Sequence, residues 1–406
     1  MTLIANNYCW YYIVNQNLSG QRFSTWCNLK KLKPSVFLLL FSIVYSDHTN
    51  FFIMGFWREA SSVILLTKSS NVKNMKTVCW DSFKILCIKR SEINSFLPNY
   101  IVFPGGTTEK SDSSLEWTNI IPDYMNSNLN INIIGYNGNP AIKFVSDNEP
   151  GSIPKYLSLR VTAIRETFEE CGILLCKQIN HEIAENSGKA NHLEIDSIDK
   201  WRKLVRKNAI NFIDLCNQNN CYPDVGALHL WSNWLTPSIL KTKFDTKFFI
   251  AFIDTPVNAS PDGIETSQMS WSTPDEILSR FIVGIEKLVT PQFYELLRLK
   301  QFISIKELTN FARERSIEGC EQVLPRVIAT KDGYLTLLPG DGIFNYFEKQ
   351  MEIQYELDKP MNYFNSRVMH RLHHTDEYLP KKLIIKNYTP KCRHISPLTT
   401  PSDSKL

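Results

Sequence analysis

The segment between Pro154 and Ile173 restricts the fold of this chain more than any other. Leu157, Val161, Ile164 and Phe168, continued by Leu175, recur at steps of three, four and seven residues, the period of one helical face. Gly172 stands near the expected end of that helix, where a side chain is least welcome. Glu166, Glu169 and Glu170 are three and four residues apart, so their carboxylates project from one side. Three like charges at that spacing cost a few tenths of a kcal/mol per pair at a surface, and most E-x-x-E-E runs are solvated acidic faces. A hard divalent cation turns the same repulsion into binding. The surrounding sequence has to decide between these readings.

Upstream lie two short β-branched and apolar runs, Ala60 to Thr67 and Phe83 to Lys89, which read as paired strands. Tyr100 to Phe103 is a third, stopped by Pro104-Gly105-Gly106, where two glycines permit a tight turn. About fifty residues rich in Asn, Ser, Gly and Pro follow, the composition of an insertion. His181 to Asn211 reads as a charged helical stretch, and Phe248 to Ile253 as a buried strand. Further helices are expected over Asp275 to Phe281 and Pro291 to Arg315.

In that setting Arg165-Glu166-Thr167-Phe168-Glu169-Glu170-Cys171-Gly172-Ile173 resembles the signature of the Nudix hydrolases, G-x5-E-x7-R-E-U-x-E-E-x-G-U with U aliphatic. Two positions depart from it. Leu157 stands eight residues before Arg165, where the signature has Glu, and Thr167 fills a usually aliphatic position. The loop between the Gly105-Gly106 turn and the helix is expanded. That expansion, with Trp57-Arg58-Glu59-Ala60, Trp234-Leu235-Thr236-Pro237, Phe244 to Phe249, Pro291 to Leu296 and Leu337 to Asp341, is similar to the peroxisomal coenzyme A diphosphatase branch, the nucleoside diphosphate-linked moiety X motif 19 type.

The resemblance implies an α/β/α sandwich on a mixed β-sheet. It places a Nudix domain over 57–300 with insertions near 107–153 and 178–225, a helical C-terminal extension over 301–370 and a flexible basic tail over 378–406. It makes Glu166, Glu169 and Glu170 ligands of Mg²⁺ or Mn²⁺, with one of them helping to deprotonate the attacking water. Arg165 would orient a glutamate through a charge-assisted hydrogen bond. The activity implied is hydrolysis of coenzyme A and acyl-coenzyme A to 3′,5′-ADP and (acyl-)4′-phosphopantetheine. Removing one ligand charge is then expected to cost rate but little stability, the ligand face being solvent-directed. Two other readings stay open: a Nudix hydrolase of another nucleotide diphosphate such as NADH or capped RNA, and an inactive Nudix-fold protein that binds nucleotide or RNA.

Arg90 and Lys247, with Lys89 beside them, are candidate phosphate partners, and Gly105 and Gly106 complete the candidate substrate-binding set. Solvated strand ends are the plainer reading of those cations. Glu265 is a candidate further acidic ligand or base, or else a surface carboxylate. Asn233 and Thr236 beside Trp231 and Trp234 suit either a pocket or an aromatic core, and Cys171 is read as buried packing. His370, His373 and His374, with no carboxylate at metal spacing, read as surface residues.

Lys+Arg 45 against Asp+Glu 41 leaves only +4 over 406 residues, without a basic stripe, which argues against a stable nucleic-acid partner. The ten cysteines never fall at C-x-x-C spacing; the nearest pairs are Cys171 with Cys176 and Cys216 with Cys221. Scattered thiols suggest a reducing compartment and no zinc knuckle. Residues 1–53 look unlike the rest and read as a leader, since Met54 opens an ordinary protein beginning. Their apolar stretch, Val36 to Tyr45, falls short of the roughly 20 residues that span a bilayer. Ser404-Lys405-Leu406 matches the peroxisomal address read by an import receptor, so a peroxisomal location is expected.

Overall fold

Ala60 to Thr67 are buried without a break in the computed structural model, so the first strand, β1 (Arg58–Lys68), is covered on both faces. The structure describes residues 57–69, 83–94, 96–121, 150–179, 188–237, 240–347, 354–374 and 379–399. β2 (Phe83–Arg90), β3 (Tyr100–Val102) and β4 (Gly105–Thr107) come next, then helices α1 (Trp117–Ile120) and α2 (Lys155–Cys171). β5 (Cys176–Gln178), α3 (Ile198–Lys207), α4 (Asn211–Gln218) and β6 (Cys221–Pro223) follow. The chain continues through β7 (His229–Leu235), β8 (Phe244–Ile253), β9 (Thr266–Ser272), α5 (Pro274–Ile282), β10 (Lys287–Leu288), α6 (Thr290–Leu299), α7 (Ile305–Ser316) and β11 (Gln322–Val323).

Among the described residues β5 and β6 pair with each other, and the other strands form one mixed nine-stranded sheet, ordered β10-β3-β2-β1-β8-β7-β11, with β4 also on β1 and β9 on β2. β1 runs parallel to β8, with Ser62 opposite Phe248, and antiparallel to β2 and β4. Successive side chains of a strand point to opposite faces. Val63, Leu65, Leu86 and Ile88 accordingly pack with Leu157, Val161 and Phe168 of α2 and Phe212 of α4. Ile64, Leu66 and Ile85 pack with Phe293 and Leu296 of α6 and Leu308 of α7. Helices therefore cover both faces, the α/β/α layering expected from the sequence.

The C-terminal third departs from expectation. The segment over 301–370 opens with α7 but then forms strands, not further helix. β12 (Arg326–Thr330), β13 (Gly333–Leu337), β14 (Gln354–Glu356), β15 (Met369–His374) and β16 (Pro380–Lys386) make a second sheet, ordered β14-β12-β13-β15-β16. The tail is ordered at least over β16, which pairs with β15. Leu372 and Leu383 of this sheet are fully buried with α6 and α7, and that burial is what orders it. His370 and His374 are buried, not at the surface. His370 Nε2 lies 2.8 Å from the Tyr294 hydroxyl and its Nδ1 2.7 Å from the Pro339 carbonyl oxygen. Residues 1–53, most of the first insertion and Ser404-Lys405-Leu406 lie outside the described residues. Among the described residues no helix is long and apolar enough to cross a membrane.

Candidate functional site

α2 ends where the sequence predicts. Gly172 takes a left-handed conformation (φ 71°, ψ 13°) and its N–H donates to the Phe168 carbonyl at 2.8 Å, closing the helix two residues after Glu170. Glu166, Glu169 and Glu170 converge on the wall of a cleft of about 1540 Å³. Their face is not solvent-directed as expected: Glu169 and Glu170 are only 8% and 3% exposed. The turn before β4 covers them.

That turn explains its glycines. The Pro104 carbonyl accepts the Val63 N–H and the Ser62 hydroxyl, each at 2.8 Å, which pulls the chain down onto β1. The next amide, Gly105 N–H, donates to Glu170 Oε2 at 2.8 Å. A Cβ on Gly106 would sit 2.5 Å from Glu166 Cδ, and one on Gly105 would sit 2.3 Å from the Ser61 carbonyl oxygen. Only glycine allows strand backbone to approach the glutamates this closely.

Arg165 holds the carboxylates from behind. Its Nη1 donates to Glu166 Oε1 at 2.9 Å and to Glu169 Oε1 at 2.6 Å. Its other edge grips Asp112, Nε to Oδ1 at 2.7 Å and Nη2 to Oδ2 at 2.9 Å, while Nη2 also donates to the Thr107 carbonyl. Asp112 is 1% exposed, on a short 3₁₀ turn (Lys110–Ser113) before α1, and it accepts further bonds from the Thr162 hydroxyl and the Glu109 N–H. Sequence reasoning missed it, because it belongs to the expanded loop and not to the motif; the capping pattern Glu109-x-x-Asp112 was its one local trace. Leu157 is 1% exposed within the core. The remaining carboxylate on Arg165 thus comes from another element.

The electrostatics ask for a cation. Burial pushes the Glu166 carboxyl up to about 7, with Arg165 opposing the rise. Burial likewise raises Glu169, and raises Glu170 well above the usual range with help from the Glu166 charge. Against the cost of its own burial, Arg165 is held protonated by Glu166, Asp112 and Glu169. One guanidinium faces three carboxylates, Asp112, Glu166 and Glu169, with Glu170 a fourth beside them, and the surplus charge sits on hard oxygen donors. That set fits a divalent cation, which would be held by Glu166, Glu169 and Glu170 and would restore their ionised state. α3, from the second insertion, completes the helix end. Arg202 donates to the Glu169 and Glu170 carbonyls at 3.1 and 2.8 Å, and Arg206 to the Glu169 carbonyl at 2.9 Å.

Other predicted residues divide. Arg90, Gly105, Gly106 and Glu265 line the cleft. Arg90 Nε is fixed on the Phe96 carbonyl at 3.0 Å, and the Glu265 charge adds to the rise of Glu170. Lys247 does not line it, which corrects the expectation. Phe244, Thr246 and Phe248 of β8 face the cleft, so the two-residue alternation turns Lys247 the other way, where it pairs with Asp245 at 2.8 Å. Trp234 and Thr236 line the cleft, whereas Trp231 is core; both indole N–H groups donate to Glu295 at 2.8 Å. Arg58, Arg206 and Lys207 also line the cleft, as do Phe96 and Phe244. A cleft that combines cations, aromatic rings and buried carboxylates suits an elongated polyanion carrying a planar or apolar end.

Comparison with known proteins identifies the family. A sequence model of the NUDT19 Nudix domain matches residues 57–299. The chain is similar to acyl-coenzyme A diphosphatase NUDT19 of Xenopus laevis, with 34% identity over 378 residues, 87% of this chain and 98% of that protein. It is similar to the Homo sapiens protein of the same name at 30% identity over 358 residues, 84% and 94% of the two chains. Among solved structures, a Nudix hydrolase from Alicyclobacillus acidocaldarius aligns with a TM-score of 0.45 and 19% identity, over 63% of this chain and 97% of that one.

Proposed function

The chain belongs to the Nudix hydrolases of the NUDT19 family, and on that premise we propose that it cleaves the diphosphate of coenzyme A and acyl-coenzyme A, releasing 3′,5′-ADP and 4′-phosphopantetheine or its acyl ester. One observation carries the reading: Glu166 and Glu170, with Glu169 beside them, meet the Gly105-Gly106 backbone in a cleft whose volume exceeds the roughly 300–1,000 Å³ of ordinary small-molecule sites. Glu166, Glu169 and Glu170 would hold Mg²⁺ or Mn²⁺, which when bound would supply Lewis acidity for the diphosphate charge and for acidifying a water. The protein's own groups do the rest. Arg165, anchored on Asp112, fixes Glu166 and Glu169 for the cation, and one of the three carboxylates accepts the proton of the water. Arg58 and Arg90 on the cleft wall meet phosphate oxygens, so the phosphorus is presented for in-line attack.

Mass spectrometry of the products tests this. Incubation with coenzyme A and Mg²⁺ or Mn²⁺ should yield 3′,5′-ADP and phosphopantetheine, with no product after chelation. Intact coenzyme A beside hydrolysed NADH or capped RNA would move the substrate to another nucleotide diphosphate. The reading extends to location through Ser404-Lys405-Leu406 and a peroxisomal import receptor. An N-terminally fluorescent fusion should reach peroxisomes only with that tripeptide; the same cytosolic signal with and without it would refute the address.

A further inference from the structure

Three cysteines that the sequence keeps apart are brought together on the other side of the α2 terminus. Cys176 lies on β5, Cys216 on α4 and Cys221 on β6. Their Sγ atoms all lie within 4.8 Å of one another and none of the three residues has any exposed surface. The local fold is built for this meeting. The α4 helix stops at Asn219, whose N–H returns to the Leu215 carbonyl, and Asn220 takes a left-handed conformation (φ 48°). The reversal lays β6 against β5, with Gln178 opposite Cys221 and Cys176 opposite Pro223. The three sulfurs form a cluster separate from the glutamate site, and none of its members lines the cleft.

We propose that Cys176, Cys216 and Cys221 bind one soft, thiophilic cation of the d¹⁰ class, independently of the glutamate site. A cation at roughly 2.3 Å from each sulfur needs sulfurs roughly 4 Å apart, a separation this cluster reaches with little movement. Thiolate donors select soft ions over Mg²⁺ or Ca²⁺, so the two sites do not compete. Three sulfurs with no exposed surface leave no open position. That closure suits three-coordinate Cu(I) better than Zn²⁺, which takes a fourth ligand in structural sites. Binding displaces thiol protons to solvent, so affinity rises with pH. A bound ion would tie the second insertion, which supplies Arg202 and Arg206, to the strand that leaves the catalytic helix.

The test uses the full chain, purified under reducing, metal-controlled conditions and titrated with Cu(I), Cd²⁺ or Zn²⁺ in separate arms. One equivalent of a soft ion should bind with thiolate-to-metal charge-transfer absorption and raise the melting temperature. Cys216→Ser should lose all three signals, and the control Cys392→Ser should keep them. X-ray absorption on the wild-type protein counts the ligands even if the Cys216 variant fails to fold: a shell of three sulfurs supports the site. A shell of oxygen or nitrogen, equal binding by Cys216→Ser, or a disulfide within the trio (two hydrogens lost from the intact mass) would overturn it. The arm that binds most tightly identifies the ion.

Discussion

Asp112 and Gly106 show how much of the site hangs on single atoms outside the glutamates. Asp112 takes two of the bonds of a buried Arg165, so Asp112→Ala leaves its Nε–H and one Nη2–H without an acceptor in a dry place. Breaking one partner of a buried pair costs about 3 kcal/mol, and loosening an orienting group behind a metal site costs about 10–100-fold in activity. Denaturant unfolding and turnover of coenzyme A should both register the change, and an effect on neither would remove Asp112 from the account. Gly106→Ala is expected to differ: its Cβ meets the Glu166 carboxylate, the movable end of a side chain. Activity should fall while unfolding stays near the wild type. A variant of full activity would mean that Glu166 need not stand where it does.

At the scale of elements, α2 was legible because its apolar spacing, its terminal glycine and its three glutamates all coincide on one helix. β1, β2, β3 and β8 were legible as β-branched or apolar runs for the same reason, local pattern agreeing with burial. The partner of Arg165 was not, since it depends on how an expanded loop folds back over fifty residues of separation. Lys247 was misplaced because composition does not show which face of a strand a residue takes. β15 and β16, with sequences MHRLHH and PKKLIIK, hide their strand character under charge, and their burial comes from α6 and α7. Leu157 gives this scale its prediction. Leu157→Glu restores the motif letter but places a carboxylate in the core, away from water. It should destabilise the fold by more than about 2 kcal/mol without raising activity, and a stable, faster variant would contradict the placement of Asp112 as the partner that suffices.

On the scale of the whole molecule, two sheets share one apolar layer around α6 and α7, and buried histidines make that union sensitive to acid. Burial lowers His229 and His370 to about 4, against about 6.5 in an unfolded chain. Between those pH values the unfolded state binds more protons, so stability present above pH ~6.5 is lost as the pH falls toward ~4, by up to about 1.4 kcal/mol per pH unit for each histidine. His370→Gln should flatten the stability profile by about one proton over that window, and the difference from wild type separates the imidazole from the raised glutamates, whose effect has the opposite sign. An unchanged slope would mean that burial does not hold His370 neutral. The sheet it anchors follows the family domain and packs on it, so the site's support extends well past residue 299.

The central claim is that the α2 carboxylates make this fold a cation-dependent diphosphatase. Turnover of coenzyme A by Glu169→Gln, at saturating Mg²⁺ and beside the wild type, addresses it most directly. Cation catalysis supplies several kcal/mol, so the variant should be slower by at least about 10²-fold with its circular dichroism unchanged. Equal turnover by the two proteins would contradict the claim, whatever the substrate proves to be.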